Sequence, residues 1–382
     1  MILSTCYAVL FSYALFYHMV FKILLFLFII SNMDRKETRK VKVGNVVLGG
    51  NDEVIIQSMT KNKTSKKVQV VKEINECALL GAKIMRISIL DNKDIKAIKY
   101  IKEHTTIPLV ADIHYSLKFA IKAINEGIDA IRINPGNTSN NKDLNELLEL
   151  AKNKNIAIRI GINRGSIEID KNKDIPSQLV DKIISYLSYF ESKNFFNTVI
   201  SIKDSDPLIT LETYRLLAKK CDYPLHIGIT ESGIKEVGII RSCAILAILL
   251  NEGIGSTIRI SLTSSRKDEI LTCKRLLHDL NLYKDYPTLI SCPTCGRCMV
   301  KNTEDLARKT LNFLEENNIN LKVAIMGCVV NGIKEGENAD IGLAGGKNSY
   351  ILFKKGKKIR TIDDNNPFEE LKKEILNFNS NN

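Results

Sequence analysis

From Met33 onward, short runs of β-branched and other apolar residues alternate with longer amphipathic stretches. Such runs predict buried strands, and the stretches between them predict helices that pack an apolar stripe on a sheet. The predicted strands are Glu53–Met59, Ala82–Ile89, Ile107–Ile113, Ala130–Asn134, Ala157–Asn163, Asn197–Lys203, Pro224–Thr230 and Ser256–Leu262. The helices predicted between them include Val68–Leu80, Asp94–Lys102 and Leu117–Glu126.

Eight strands that alternate with helices over about 230 residues are the pattern of a (β/α)₈ TIM barrel, an α/β fold. A doubly wound open sheet is the alternative, but no glycine-rich phosphate-binding turn follows the first strand. We therefore predict a TIM-barrel, substrate-binding domain over residues 33–280.

The rest of the chain, residues 281–382, predicts a small α+β domain. A helical linker at Lys267–Asn281 leads into it. Its predicted elements are a helix at Thr303–Asn317, strands at Leu321–Met326 and Ala339–Leu343, a strand pair turning near Lys355-Gly356 and a closing helix at Pro367–Phe378.

The first 32 residues differ from everything after them. Residues 2–30 are nearly all apolar and long enough to span a bilayer, but they lack the basic start and the cleavage site of a signal peptide. They are either a membrane anchor or sequence that lies upstream of the true translation start, which would then be Met33. We favour the second interpretation, exclude residues 1–32 from the fold and expect a cytoplasmic protein without membrane attachment. A chain that begins at Met33 should be soluble and fully active, and tight membrane association of the native protein would contradict this.

Composition narrows the function classes only slightly. Of the 382 residues, 45% are hydrophobic and 26% are charged, which is typical of a soluble globular protein and not of a disordered chain. The net charge of +12 accompanies a general abundance of Lys, Asn and Ile, and a basic surface suits many anionic partners. No arginine-rich or aromatic-interleaved stretch is present, so we do not expect nucleic-acid binding.

Polar residues recur near the C-terminal ends of seven predicted strands, two or four positions apart, which places them on one face. They are Arg86, Asp112, His114, Arg132, Asn134, Arg159, Asn163, Lys203, Ser205, His226, Thr230, Arg259 and Ser261. Ionisable groups are costly to bury unless they are paired or used, and TIM-barrel sites are built at this end of the barrel. Five cations against Asp112 and Glu231 predict a substrate with two or more negative charges, and guanidinium groups suit phosphate oxygens.

The nine cysteines fall into two groups. Five of them are scattered in apolar or helical surroundings and are interpreted as small buried side chains: Cys6, Cys77, Cys221, Cys243 and Cys273. Cys292, Cys295 and Cys298 form a C-x₂-C-x₂-C loop, and Cys328 follows in a loop-like context. This spacing is typical of bacterial ferredoxin loops, whereas a zinc ribbon would need a second close pair. We therefore predict reduced thiols that hold a [4Fe–4S] cluster.

The motifs between Thr38 and Phe378 resemble, in the same order, those of the 4-hydroxy-3-methylbut-2-enyl diphosphate synthase family of the non-mevalonate isoprenoid pathway. The matching segments are Thr38-Arg39, Val41-Lys42-Val43-Gly44, Gln57-Ser58-Met59-Thr60, Val110-Ala111-Asp112-Ile113-His114, Arg132-Ile133-Asn134-Pro135-Gly136-Asn137, Arg159-Ile160-Gly161-Ile162-Asn163, Thr230-Glu231-Ser232-Gly233, Gly253-Ile254-Gly255, both cysteine motifs and Asn331-Gly332.

The resemblance implies reductive dehydroxylation and ring opening of 2-C-methyl-D-erythritol 2,4-cyclodiphosphate, with electrons from ferredoxin or flavodoxin passing through the cluster. It also implies a homodimer, in which the cluster domain of one subunit covers the barrel of the other. Glu231 is our candidate for the acid that protonates the departing oxygen.

The fourth cluster ligand is open between two residues. Cys292, Cys295 and Cys328 are the predicted thiolate ligands, and the family's cluster glutamate corresponds by position to Glu335. Spacing alone favours Cys298 as the fourth ligand, although it stands where the family usually has Thr. Mechanism favours Glu335, since a carboxylate is harder and more easily displaced than a thiolate.

The sequence also departs from the family in its loops. Ile333-Lys334 stands where Pro-Gly is usual, and Ser256 and Ser265-Arg266 replace acidic loop residues. Two rival functions compete with this one: a zinc-tailed TIM-barrel aldolase or isomerase for sugar phosphates, with Lys203 forming a Schiff base, and a non-catalytic electron carrier. The inward-facing cations argue against the carrier.

Overall fold

The structure, a computed structural model, describes residues 35–50, 53–114, 116–137, 141–363 and 365–380. The predicted apolar leader at residues 1–32 lies outside the described residues. The chain forms two compact units that divide between Leu282 and Tyr283. None of the described helices is both long enough and apolar enough to cross a membrane.

A short hairpin opens the first unit. Strands β1 (Val41–Val43) and β2 (Val46–Leu48) pair antiparallel around a turn in which Gly44 has a φ of +57°, a conformation that glycine adopts without strain. The hairpin packs its apolar side chains on residues at the N-terminal ends of the following strands, and this cluster contains Val41, Val43, Leu48, Ile55, Ile84, Val110, Ala130, Ala157 and Val199. It therefore fills the bottom of the sheet, a feature that the sequence analysis did not predict.

Eight parallel strands form the sheet of the first unit. They are β3 (Ile55–Met59), β4 (Ile84–Ile89), β5 (Leu109–Ile113), β6 (Ala130–Ile133), β7 (Ala157–Asn163), β8 (Thr198–Lys203), β9 (His226–Ile227) and β10 (Thr257–Ile258). Their order is β8-β7-β6-β5-β4-β3-β10-β9, and a parallel bridge between Ile200 and Leu225 joins the two edges. The predicted TIM barrel is confirmed.

Eight described helices connect or follow these strands. They are α1 (Lys67–Leu79), α2 (Asn92–Glu103), α3 (Leu117–Asn125), α4 (Asn141–Asn153), α5 (Ile175–Ser192), α6 (Pro207–Lys220), α7 (Lys235–Asn251) and α8 (Arg266–Asp279). Side chains of Asp91, Asp174 and Asp206 accept hydrogen bonds from backbone N–H groups at three helix starts. Gly127 and Gly253 follow two helix ends with positive φ, as helix-terminating glycines commonly do.

The last two barrel strands are much shorter than predicted. The sequence predicts seven residues for each, but β9 and β10 have two residues each. A Cβ at Gly228, directly after β9, would lie 2.4 Å from the carbonyl oxygen of Arg259 and 2.9 Å from Lys203 Nζ. Gly228 therefore lies close against Arg259 and Lys203. The chain leaves the sheet after β9, and the residues that follow are in a loop.

The second unit contains a five-stranded mixed sheet. Its strands, in both chain order and sheet order, are β11 (Thr288–Ser291), β12 (Lys322–Met326), β13 (Ile341–Gly346), β14 (Ser349–Lys354) and β15 (Lys357–Asp363). Strands β11 to β13 are parallel, and β13 to β15 are antiparallel.

Three described helices flank this sheet, namely α9 (Thr303–Glu316), α10 (Val329–Glu335) and α11 (Pro367–Ser380). Leu314 and Leu371, from α9 and α11, pack in one cluster, while Val329 and Ile333, from α10, pack against the other face of the sheet. The sequence analysis missed β11 and α10. Strand β11 is an edge strand without a fully buried residue, and α10 has seven residues and contains Gly332, so neither shows a clear period.

Candidate active site

The carboxylate of Asp112 lies at the centre of a group of cations inside the barrel. Asp112 is 2% exposed, and its oxygens lie 3.1 Å from Arg132 Nη1, 3.4 Å from Arg86 Nε and 3.4 Å from His114 Nε2. Burial by itself would raise the pKa of Asp112, but Arg86, His114 and Arg132 outweigh it and hold that pKa well below the ordinary value. Asp112 is therefore a permanent anion that fixes two guanidinium groups.

Gly161 makes room for one of these groups. Arg132 Nη2 donates to the carbonyl oxygen of Gly161 at 3.1 Å, and a Cβ at Gly161 would lie 2.7 Å from Arg132 Nε. Glycine at this position of β7 lets the guanidinium lie flat on the backbone.

Two further arginines, the buried Arg159 and the half-buried Arg259, form no ion pair with a carboxylate among the described residues. Arg159 is 6% exposed, and its Nη1 donates across the barrel interior to Gln57 Oε1 at 2.5 Å. Arg259 Nη1 lies 3.9 Å from Met59 Sδ, and the Nε atoms of both arginines have no hydrogen-bond partner among the described residues. Burial lowers the pKa of Arg159 well below its ordinary value and that of Arg259 to about 10. Buried cations without a counter-ion are unfavourable, so this arrangement calls for an anionic ligand.

Lys203 and His226 form a pair of basic side chains in the interior. Lys203 Nζ lies 3.3 Å from His226 Nε2, and His226 Nδ1 lies 2.6 Å from Thr257 Oγ1. His226 is fully buried, and burial, followed by the nearby cations, lowers the pKa values of both His226 and Lys203 well below their ordinary values.

The remaining predicted residues are placed less uniformly. Asn134 is buried and its Nδ2 donates to Ser166 Oγ at 2.7 Å, and that hydroxyl in turn donates to Oδ1 of the exposed Asn163. Ser261 is half-buried, whereas Ser205 is exposed. Asn163 and Ser205 are therefore exposed near the ends of β7 and β8, and their predicted role in substrate binding stays a prediction.

Glu231 lies outside the sheet. The prediction placed it at the end of a strand inside the mouth, but β9 ends at Ile227 and Glu231 is exposed. Its φ of +54° is in the left-handed region, which is unfavourable for a residue with a side chain and is found most often at functional sites. The turn is fixed on both sides, because Thr230 N donates to the carbonyl oxygen of Asp204 at 3.4 Å and Thr263 N donates to that of Gly233 at 2.9 Å.

The sequence analysis missed two buried carboxylates near these strand ends. Asp204 forms a bidentate ion pair with Arg164, at 2.9 and 3.2 Å. Glu269, on α8, pairs with Arg266 and accepts a hydrogen bond from Ser58 Oγ at 3.1 Å. Asp204 directly follows Lys203, so the alternation along β8 predicts that its side chain points away from that of Lys203. Glu269 lies on α8, and the helical period of α8 was the one sequence signal that could have indicated its burial. Both carboxylates neutralise local cations, so neither offsets Arg159.

In the second unit, sulfur atoms gather around Gly327. Cys292 follows β11 and Cys328 precedes α10, and Gly327 N donates to Cys292 Sγ at 3.1 Å. A Cβ at Gly327 would lie 2.7 Å from Cys298 Sγ and 3.5 Å from Cys292 Sγ. A backbone N–H donated to sulfur and a glycine that leaves room for sulfur fit the chemistry of a thiolate-bound cluster.

Cys295 and Glu335 lie on the exposed side of this loop. Hydrogen bonds from the backbone and side chain of Arg297 lower the pKa of Cys295. The pKa of Arg297 is raised mainly by its hydrogen bond with Cys295, with smaller contributions from Cys328 and Glu335. Glu335 is the last residue of α10. Within the described parts of the chain, no three His, Cys, Asp or Glu side chains converge on a single metal position.

Cys298 has protein partners of its own. Its thiol donates to the carbonyl oxygen of Val300 at 3.3 Å and lies 3.7 Å from Thr303 Oγ1. Cys298 therefore has hydrogen-bond partners within the protein, and the choice between Cys298 and Glu335 as fourth ligand stays a prediction.

A parallel barrel with unpaired cations in its interior, joined to a thiol-rich unit, defines the class: a TIM-barrel enzyme for an anionic substrate with a cysteine-bearing C-terminal domain. The GcpE TIM-barrel domain matches residues 38–274, and the GcpE protein C-terminal domain matches residues 288–377. The chain belongs to the GcpE family.

Individual relatives agree with this assignment. The 4-hydroxy-3-methylbut-2-en-1-yl diphosphate synthase (flavodoxin) of Ruminiclostridium cellulolyticum is 44% identical over 345 residues, which cover 89% of this chain and 98% of that protein. Proteins of the same name from Malacoplasma penetrans and Bacillus subtilis are each 42% identical; the matches cover 89% of this chain and 95% and 91% of those proteins.

Proposed function

We propose that the protein is a 4-hydroxy-3-methylbut-2-enyl diphosphate synthase of the non-mevalonate route to isoprenoids. Its substrate is 2-C-methyl-D-erythritol 2,4-cyclodiphosphate. The observation that carries the proposal is a pair of interior arginines, the buried Arg159 and the half-buried Arg259, which have no carboxylate partner among the described residues. A cyclic diphosphate brings the two negative charges that they need, and membership of the GcpE family supports this choice.

The reaction consumes two electrons and two protons. One C–O bond to the diphosphate breaks and opens the ring, a second C–O bond breaks and its oxygen leaves as water, and a carbon–carbon double bond forms. The departing hydroxyl takes one proton to become water, and the other proton is accounted for by the phosphate oxygen that ring opening frees. The chain must therefore hold the diphosphate in place and deliver a proton to the departing oxygen.

The barrel residues have distinct roles in this proposal. Arg159 and Arg259 bind phosphate oxygens, while Asp112 holds Arg86 and Arg132 in fixed orientations, so their charges need little reorganisation when the substrate binds. Glu231, on its rigid turn, donates the proton to the departing oxygen.

The family is iron–sulfur dependent, and the second unit has donors that fit such a group. Cys292, Cys295 and Cys328 would hold a [4Fe–4S] cluster, with Glu335 at the remaining iron. When bound, the cluster supplies electrons to the substrate one at a time. Gly327 donates its N–H to Cys292 and leaves room for the neighbouring sulfur of Cys298.

We also propose an electron donor and an assembly state, and family membership supports both. The relatives carry flavodoxin in their names, so we propose flavodoxin as the donor, with ferredoxin as the alternative. A homodimer is also proposed, and sedimentation of the purified protein tests it.

Metal analysis separates this function from the zinc-tailed aldolase or isomerase. Protein purified without oxygen should contain iron and acid-labile sulfide in equal amounts, about four of each per chain, and should be brown. Stoichiometric zinc without iron would contradict the proposal.

The identity of the fourth ligand is tested with Cys298→Ser and Glu335→Ala. Cys298→Ser should keep its iron content, its reduced-state EPR spectrum and its turnover, because a serine hydroxyl also donates to the Val300 carbonyl. Glu335→Ala should show an altered EPR spectrum and impaired turnover. The reverse pattern would make the site a four-cysteine cluster.

Gly161→Ala tests the fit of Arg132 against the backbone. The added Cβ would displace the guanidinium, so affinity for the cyclic diphosphate should fall by about 1 kcal/mol, the scale of one misplaced hydrogen bond. Calorimetry measures the change, and Gly165→Ala, where the nearest atom would be 3.8 Å away, is the matched control. Equal affinity in both variants would show that Arg132 does not contact the substrate.

A further inference from the structure

Lys203 differs from the arginines around it because it can lose its proton. Its amine lies 3.3 Å from His226 Nε2, and no carboxylate in the described part of the chain lies within ion-pair distance of it. Gly228 lets the amine approach the neighbouring strand, since a Cβ there would lie 2.9 Å from Nζ.

The hydrogen bonds of His226 determine which of its two ring nitrogens carries the proton. Within the described residues, His226 Nδ1 is the one hydrogen-bond partner of the Thr257 hydroxyl, at 2.6 Å, and Thr257 is 2% exposed. A buried hydroxyl has to donate its proton, so Thr257 donates to Nδ1. The ring proton of neutral His226 is then on Nε2 and points at Lys203 Nζ, which can accept it only as an uncharged amine.

The charges around Lys203 favour the same state. The charged and titratable groups that act on it are Arg86, Arg132, Arg159, Arg259 and the adjacent His226. The interior carboxylate of Asp112 is already paired with Arg86 and Arg132. A fifth positive charge in this group is unfavourable, and burial and these arginines lower the pKa of Lys203 well below its ordinary value.

We propose that binding of the cyclic diphosphate is coupled to the uptake of one proton by Lys203. This rests on the proposed function. Each phosphorus of the substrate has one acidic group, which is already ionised at neutral pH, so the substrate itself takes up or releases no proton. Its two negative charges reverse the local field, and the amine takes a proton from solvent to become an ammonium that donates to phosphate oxygens. One of the two protons that the reaction consumes is thereby brought next to the substrate.

Calorimetry of the oxidised holoenzyme tests this without turnover, because no reductant is present. The cyclic diphosphate is titrated at about pH 8 in several buffers of different ionisation enthalpy, and the dependence of the binding enthalpy on the buffer should correspond to about one proton taken up. Binding with no proton uptake would overturn this inference and leave the proposed function standing. Failure of the cyclic diphosphate to bind at all would overturn both.

Lys203→Arg identifies the group that takes the proton. Arginine keeps a positive charge but does not titrate, so the variant should bind with no proton uptake. Uptake that persists in Lys203→Arg would overturn the assignment. The unmodified enzyme gives an independent check, because its dissociation constant should rise about tenfold per pH unit above neutrality, as for a single linked proton. An affinity that does not change with pH would contradict the coupling.

Discussion

Arg159→Ala is expected to weaken binding of the cyclic diphosphate by about 2–5 kcal/mol, the cost of removing one partner of a buried charged pair. Arg159 is 6% exposed, and its one described polar contact is with the neutral side chain of Gln57, so its charge is available to the ligand. Calorimetry with the oxidised holoenzyme measures the loss without turnover. Arg215→Ala is the matched control, because Arg215 is a partly exposed arginine paired with Glu212 and Glu252, and its loss should leave affinity unchanged.

Arg132→Ala extends this test to the arginines that Asp112 orients. A loss of the same order is expected, because the variant removes a positive charge and leaves Asp112 with fewer partners. If Arg159→Ala and Arg132→Ala both bind the cyclic diphosphate as tightly as the parent, the barrel interior is not the substrate site.

Glu231→Gln is expected to lower turnover at least about a hundredfold, the usual scale for loss of a general acid. Glutamine retains the shape of the side chain and can keep the same turn, so the fold, the iron content and the affinity for the cyclic diphosphate should not change. Steady-state turnover under anaerobic conditions measures the effect, and Glu252→Gln, at a partly exposed carboxylate paired with Arg215, is the control. Near-normal turnover in Glu231→Gln would remove Glu231 from the mechanism.

Most of the barrel could be predicted because its strands are continuous runs of apolar residues. In β6 and β7 the alternation also places Arg132 and Arg159 on the inward face, and the structure places both guanidinium groups inside the barrel. Buried parallel strands leave a strong signal in the sequence, and a charged residue inside such a run is conspicuous.

The parts that could not be predicted depend on contacts between distant residues. The loop that carries Glu231 begins early, at Gly228, whose backbone lies next to Arg259, 31 positions later in the sequence. Asp204 is buried because Arg164 reaches it from the loop after β7, and no local pattern indicates that pair. The hairpin of β1 and β2 has three residues in each strand, too few to show a period.

The central claim is that this chain converts 2-C-methyl-D-erythritol 2,4-cyclodiphosphate into the linear allylic diphosphate. Its most direct test is an anaerobic incubation of the holoenzyme with the cyclic diphosphate and a chemical one-electron reductant, with the products identified by mass spectrometry and phosphorus NMR. We predict 4-hydroxy-3-methylbut-2-enyl diphosphate, formed with two electrons consumed per molecule and absent when the reductant is omitted. Recovery of unchanged cyclic diphosphate from an iron-loaded, reduced enzyme would contradict the account.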